Sequence, residues 1–197
     1  ANRLRNQEVA GAQSGENWTR SLDIRATLAR VNPSTQTRAA QLLNKTNQFN
    51  LRTRRLTEGE MVAWLDKPHR AMFTLNASDR FGDLGLIGLV SVELDGSEVR
   101  IEDMVLSCRA FGRSLENLML CACAEVAKRS GAQRVLAHCL PTAKNKPTQE
   151  FLTQRSAWRE EPMASGCHVW DANVALPRPE FITVDSQELD VCVLHAL

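Results

Sequence analysis

Apolar and polar positions alternate over residues 21–31, where Leu22, Ile24, Ala26 and Leu28 share one side. A period of two puts successive side chains on opposite faces of a sheet, so this segment predicts a strand. Pro33 and Ser34 break it. From Thr35 the period lengthens: Ala39, Leu42 and Leu43 form an apolar stripe opposite Gln41, Asn44 and Lys45, which predicts a helix. Thr57 followed by Glu60 is a capping-box pattern and predicts a short helix through Leu65, ended by Pro68. Strands follow over 71–77, 86–94 and 98–107; the second is apolar enough to be central. Asp95-Gly96 between the last two is a hairpin signal, so the three predict an antiparallel meander.

A helix beginning at Ser114 carries Leu115, Leu118, Met119, Ala122 and Val126 on one face and stops at Gly131. A strand over 133–139 comes next, then a turn at Pro141 and Thr142. A further helix runs from Asn145 or Lys146 through Arg155, with Pro147 at an early position. Residues 168–174 predict a last strand, paired with a segment near 181–184, and the apolar tail 189–197 reads as a closing strand or a short helix. Residues 1–20 are polar and poorly periodic: a frayed start, or a helix that packs on something outside the chain. The order β-β-β-α-β-α-β, with one β-α-β crossover, predicts an α/β fold on a mixed, mostly antiparallel central sheet flanked by helices.

Composition narrows the function. A chain of 197 residues, 43% apolar, supports a packed domain of ordinary size. Its net charge of +1 directs it to neither nucleic acid nor an anionic membrane, and no apolar run reaches the length of a membrane span. The polar start is not expected to act as a secretory leader, and without an initiator Met the chain is expected to be an excised or processed piece. Six cysteines with no C-x-x-C, and four scattered histidines, point to free thiols in a cytoplasmic protein rather than a disulfide framework or a metal site.

Candidate chemistry gathers in the strand–turn–helix over 98–128. Backbone N–H groups at the start of a helix lack intrahelical acceptors and suit an anion such as a phosphate, here in the turn holding Arg109, Gly112, Arg113 and Ser114. Cys108 in the same turn has two readings. It is a nucleophile that carries an acyl group, favoured by the helix dipole and the flanking arginines, or a small residue filling a strand end. His138 ends the next strand and reads as a base facing the Cys108 cleft, or as a structural residue. Thr142 and Asn145 follow that strand as binding candidates. Asp79 reads as a catalytic carboxylate or as one member of a polar turn, paired with Arg80 or a neighbour. Asn47, Gln48 and Asn50 lie in a stretch dense in amides and guanidiniums; they close a helix or line a site for an amide-rich arm.

The run Arg109-Ala-Phe-Gly112-Arg113-Ser114 resembles the acyl-CoA pyrophosphate motif of GNAT acyltransferases, Q/R-x-x-G-x-G/A, with Ser in the last place. Four blocks in order resemble the C-terminal half of FkbH-type proteins: 42–51, 79–83, 106–116 and 141–145. The resemblance covers residues 38–152. It implies a GNAT-like domain (35–197, after a lead-in segment 1–34 with a possible strand) that works beside a HAD-like phosphatase domain, in cis or in trans. Together they would load a glyceryl unit from 1,3-bisphosphoglycerate, as a thioester, onto an acyl carrier protein of polyketide assembly. It also implies no tightly bound cofactor, only the phosphopantetheine arm of the carrier, or CoA. A V-shaped opening for that arm is expected between the strand ending at Cys108 and the strand ending near Cys139.

Two departures qualify the resemblance. No D-x-D-x-T/V motif of a HAD domain occurs and residues 1–37 are too few to hold one, so the chain is expected to be a fragment cut at that boundary or a stand-alone member. The family's Gly-Phe pair is missing near 151–158. S-acyl transfer to a carrier is the leading expectation. The alternatives are a non-catalytic carrier-docking module and an acetyl-CoA N-acetyltransferase; Ser114 and the missing Gly-Phe pair count against the latter.

Overall fold

The structure, a computed structural model, describes residues 15–154, 158–161, 164–174, 176 and 178–185. A short helix, α1 (Gly15–Arg20), leads into β1 (Ile24–Arg30), whose alternation buries Ile24, Ala26 and Leu28. Then come α2 (Gln36–Lys45) and α3 (Glu58–Leu65). The capping box at α3 is complete: Thr57 Oγ1 accepts the Glu60 N–H at 3.2 Å, and the Glu60 carboxylate accepts the Thr57 N–H at 2.7 Å. The meander is β2 (Arg70–Asp79), β3 (Gly82–Asp95) and β4 (Glu98–Leu106). After it, α4 (Leu115–Ser130) ends at Gly131, whose φ of 73° is the left-handed conformation expected of a helix terminator. The chain continues as β5 (Arg134–His138), α5 (Lys146–Thr153), β6 (Trp158–Glu160), β7 (Cys167–Asp171) and β8 (Ile182–Val184).

These strands form one sheet in the order β6-β7-β5-β4-β3-β2-β1-β8. All neighbours are antiparallel except β4–β5 and β1–β8. Side-chain alternation along β3 splits the core in two. Leu89 joins Leu42, Leu43, Met61 and Trp64 beneath α2 and α3. Val90 joins Leu118, Met119, Ala122 and Val126 beneath α4. Among the described residues, no helix is long and apolar enough to cross a membrane.

Two expectations need correction. The strand at 167–171 does not pair with residues near 181–184: β7 lies between β5 and β6, whereas β8 sits on the far edge, parallel to β1, with Ile24 opposite Ile182. Closeness in sequence misleads here, because Trp158 of the three-residue β6 and Val135 of β5 offer β7 apolar neighbours on both sides. The helix read through Arg155 stops at Thr153. The strand read within the lead-in is β1, set between β2 and β8. The tail 189–197 lies outside the described residues.

The site depends on one irregularity. Ser91 faces Asp103 but Val92 faces Ile101, so Glu102 is an extra residue bulged out of β4. Parallel pairing of β4 with β5 runs from Glu98 opposite Arg134 to Ile101 opposite Ala137 and stops there. β4 therefore outlasts its neighbour.

Close packing beside this point makes a test. A Cβ on Gly88 would lie 3.0 Å from both Leu75 Cβ and Met119 Sδ. Gly88→Ala should destabilise the fold by about 1–3 kcal/mol, the usual cost of overpacking a tight core, read from urea denaturation.

Candidate functional site

Where β4 runs on past β5, its outer N–H and C=O groups need partners. Residues 49–51 supply them. The Leu51 N–H donates to Met104 O and the Leu106 N–H to Phe49 O, both at 3.1 Å, with Asn50 opposite Val105 in an antiparallel bridge. On the other side the Leu140 N–H donates to Leu51 O at 3.0 Å. The expected opening between the strands is thus filled by the chain itself. Phe49 packs edge-on against Phe111 and Phe151, with ring centroids 6.3 and 5.4 Å away, and Leu51 is fully buried.

The amides that the sequence singles out hold this insert. The Asn50 N–H donates to Thr148 Oγ1 at 2.9 Å, and Asn50 Oδ1 accepts the Thr53 N–H at 2.7 Å. Asn145 Nδ2 donates to Asn50 O at 3.0 Å and to Leu140 O at 2.9 Å; its Oδ1 accepts the Thr142 N–H at 2.8 Å. Thr142 Oγ1 in turn accepts the Asn145 N–H at 3.1 Å. Asn50, Asn145 and Thr148 are all buried. Asn50, Thr142 and Asn145 therefore do come together, around a segment of the protein's own backbone. Downstream, Arg52 pairs with the bulged Glu102 at 2.5 Å. Arg54 pairs with buried Asp103, which also accepts from Ser91 Oγ at 2.6 Å. The Asn47 side chain accepts from the Arg55 guanidinium, and Gln48 O accepts from Thr148 Oγ1 at 3.3 Å.

The turn after β4 is clamped from beneath. Arg113 is buried, with Nε and Nη2 donating to Asp79 Oδ2 at 3.1 and 2.8 Å. Its Nη1 donates to Arg109 O and Phe111 O at 3.1 and 3.2 Å. Asp79 Oδ1 accepts the Phe81 N–H at 2.9 Å. The pair locks the turn onto the β2–β3 hairpin and turns Arg113 inward. Gly112 and Ser114 hold left-handed conformations, with φ of 74° and 58°. Among the described residues, no acceptor meets the backbone N–H groups of Gly112, Arg113, Ser114 or Leu115.

Cys108 starts a 3-10 turn (Cys108–Ala110) and precedes α4 by a whole turn of chain, so it is not at that helix's N-terminus as the sequence suggests. It is exposed. It borders a groove of about 350 Å³ between this turn and α2, with Asn47 and Gln48 also lining it. Three cations, Arg38, Lys45 and Arg109, line the groove, and no carboxylate does among the described residues. The other thiols differ. Cys123 and Cys139 are buried, and loss of solvent pushes Cys139 up to about 11 and Cys123 higher still. Burial, helped by Glu161, also raises the half-exposed Cys167.

His138 does not share the Cys108 groove. It lines a separate cavity of about 290 Å³ with Arg52, Arg100, Glu102 and Cys167. A third cavity, about 230 Å³, lies between the start of α4 and the length of α5; Phe49, Phe111 and Phe151 line it together with two carboxylates, Glu116 and Glu150. Sequence reasoning missed the roles of Phe49, Leu51 and Thr148 in filling the opening. The only available signal was the apolar alternation of Phe49 and Leu51 about Asn50.

The sequence matches no family model and no curated protein sequence. Its fold is nonetheless shared with solved structures. A domain from Methanocaldococcus jannaschii superposes with a TM-score of 0.56 at 10% identity, over 77% of this chain and 99% of that one. An acetyltransferase of the GNAT family from Staphylococcus aureus gives 0.55 at 9% identity, over 75% and 99%. The GNAT domain of S. lividans PAT gives 0.52 at 17% identity, over 73% and 89%. At such identities the likeness is one of fold: the chain has the GNAT α/β architecture that the motif in its turn suggests.

The clamp yields a prediction. Arg113→Met leaves the buried Asp79 carboxylate without its guanidinium and should cost about 3 kcal/mol or more of stability, read as a lowered urea midpoint.

Proposed function

We propose that this GNAT-fold chain is an S-acyltransferase domain that passes a three-carbon, glyceryl-type acyl group through Cys108 to the phosphopantetheine thiol of an acyl carrier protein. The observation that carries this reading is an exposed thiol beside a groove with three cations and no carboxylate among the described residues. The resemblance to FkbH-type proteins supplies the acyl unit, the carrier, the polyketide setting in the cytoplasm and a HAD-like phosphatase domain as the source of the donor.

The chemistry balances in two exchanges. The Cys108 sulfur attacks the acyl carbonyl of the donor and forms a thioester as the donor's leaving group departs with the thiol proton. The carrier thiol then attacks that thioester, takes the acyl group and returns a proton to Cys108. One thioester replaces another, so the second exchange is close to isoenergetic. Arg109, Lys45 and Arg38 suit the negative charge that develops on the acyl oxygen and the phosphodiester of the arm. His138 lines another cavity and takes no part.

A second reading, a non-catalytic docking module for the carrier, is favoured by the filled opening between β4 and β5. The same filling counts against an acetyl-CoA N-acetyltransferase.

Incubation with carrier protein and an activated glyceryl thioester, followed by intact-protein mass spectrometry, separates the acyltransferase and docking readings. The acyltransferase reading expects a glyceryl adduct on the chain that disappears in Cys108→Ala, with transfer to the carrier falling about a hundredfold or more, as for loss of a covalent nucleophile. A chain that binds the carrier yet never acquires an adduct supports docking instead.

A further inference from the structure

We infer that residues 49–51 are a built-in occupant of the β4–β5 opening, and that this domain therefore excludes CoA from it. A pantetheine arm is an extended chain with two amides. To lie between diverging strands it must bond the backbone groups those strands leave unpaired. Here these groups are Met104 O and the Leu106 N–H on β4, and the Leu140 N–H beyond β5, and the chain's own peptide units already satisfy all three. The arm has no free edge to pair with.

Displacing the insert is costly at several points at once. Phe49 and Leu51 would leave a buried environment, and Asn145 and Thr148, both buried, would lose acceptors or donors on Asn50. The segment is also anchored downstream through Arg52 to Glu102 and through Arg54 to Asp103.

The insert thus acts as a specificity element. It closes the β4–β5 opening to a free coenzyme and leaves the cationic groove at Cys108, which Asn47 and Gln48 also line, as the approach for an acyl carrier. This inference does not depend on Cys108 being a nucleophile: an adduct at that thiol has no bearing on the bonding of Leu51.

The test combines calorimetric titration of the whole chain with CoA and acetyl-CoA and residue-resolved amide hydrogen exchange. The amides of Leu51, Leu106 and Leu140 should exchange slowly and should not respond to coenzyme. Saturable binding that leaves them protected puts the ligand elsewhere and supports the inference. Binding with a Kd below about 100 μM that deprotects Leu51 and Leu140 overturns it, as does fast exchange of these amides in the free protein. In Asn145→Ala, exchange at Leu51 and Leu140 should quicken about tenfold or more, matching the loss of buried hydrogen bonds, while Val90 and Val126 keep their rates. Unchanged rates at Leu51 and Leu140 in that variant contradict the pinning.

Discussion

β4 is longer than the strand beside it, and the structure around the site follows from that mismatch. The bulge at Glu102 shifts the register against β3 at the level where parallel pairing with β5 ends, so the outer edge of residues 104–106 needs hydrogen-bond partners in a largely buried position. A sheet with such a gap admits a ligand, a partner strand or its own chain. This protein uses its own chain, and a cluster of buried amides and hydroxyls fixes the insert from the α5 side. Ion pairs to Glu102 and Asp103 hold the downstream chain against β4, the bulge residue among them.

The turn after β4 retains unpartnered N–H groups among the described residues, but Arg113, the cation the sequence assigns to an anion there, is bonded to Asp79 and two carbonyls beneath the turn. Arg38, Lys45 and Arg109 line the groove against α2, and Cys108 borders it. The proposed acyl carrier rests on this arrangement: a GNAT architecture with the β4–β5 opening filled and an exposed thiol beside a cationic groove.

Much of the fold was legible in the sequence because local periodicity and turn chemistry agree with the final sheet. The alternation of β1, the box at Thr57 and Glu60, the Asp95-Gly96 turn and the terminator Gly131 are each readable within a few residues. The β7–β8 error came from long-range pairing, which no local pattern encodes, and β6 is too short at three residues to show a period. At the site, Asn50, Thr142 and Asn145 were legible as a polar cluster but their partner was not. Side chains suited to an amide-rich arm suit a peptide strand equally well. Likewise a guanidinium near a helix start signals an anion, and sequence does not say whether that anion is a ligand or the inward Asp79.

The most direct measurement is a crystal structure of the chain joined by a disulfide from Cys108 to the pantetheine thiol of a carrier protein. The expected result is an arm lying along α2 and residues 45–48, with the Leu51–Met104 and Leu140–Leu51 hydrogen bonds intact. An arm seated between β4 and β5, with residues 49–51 displaced, would contradict it.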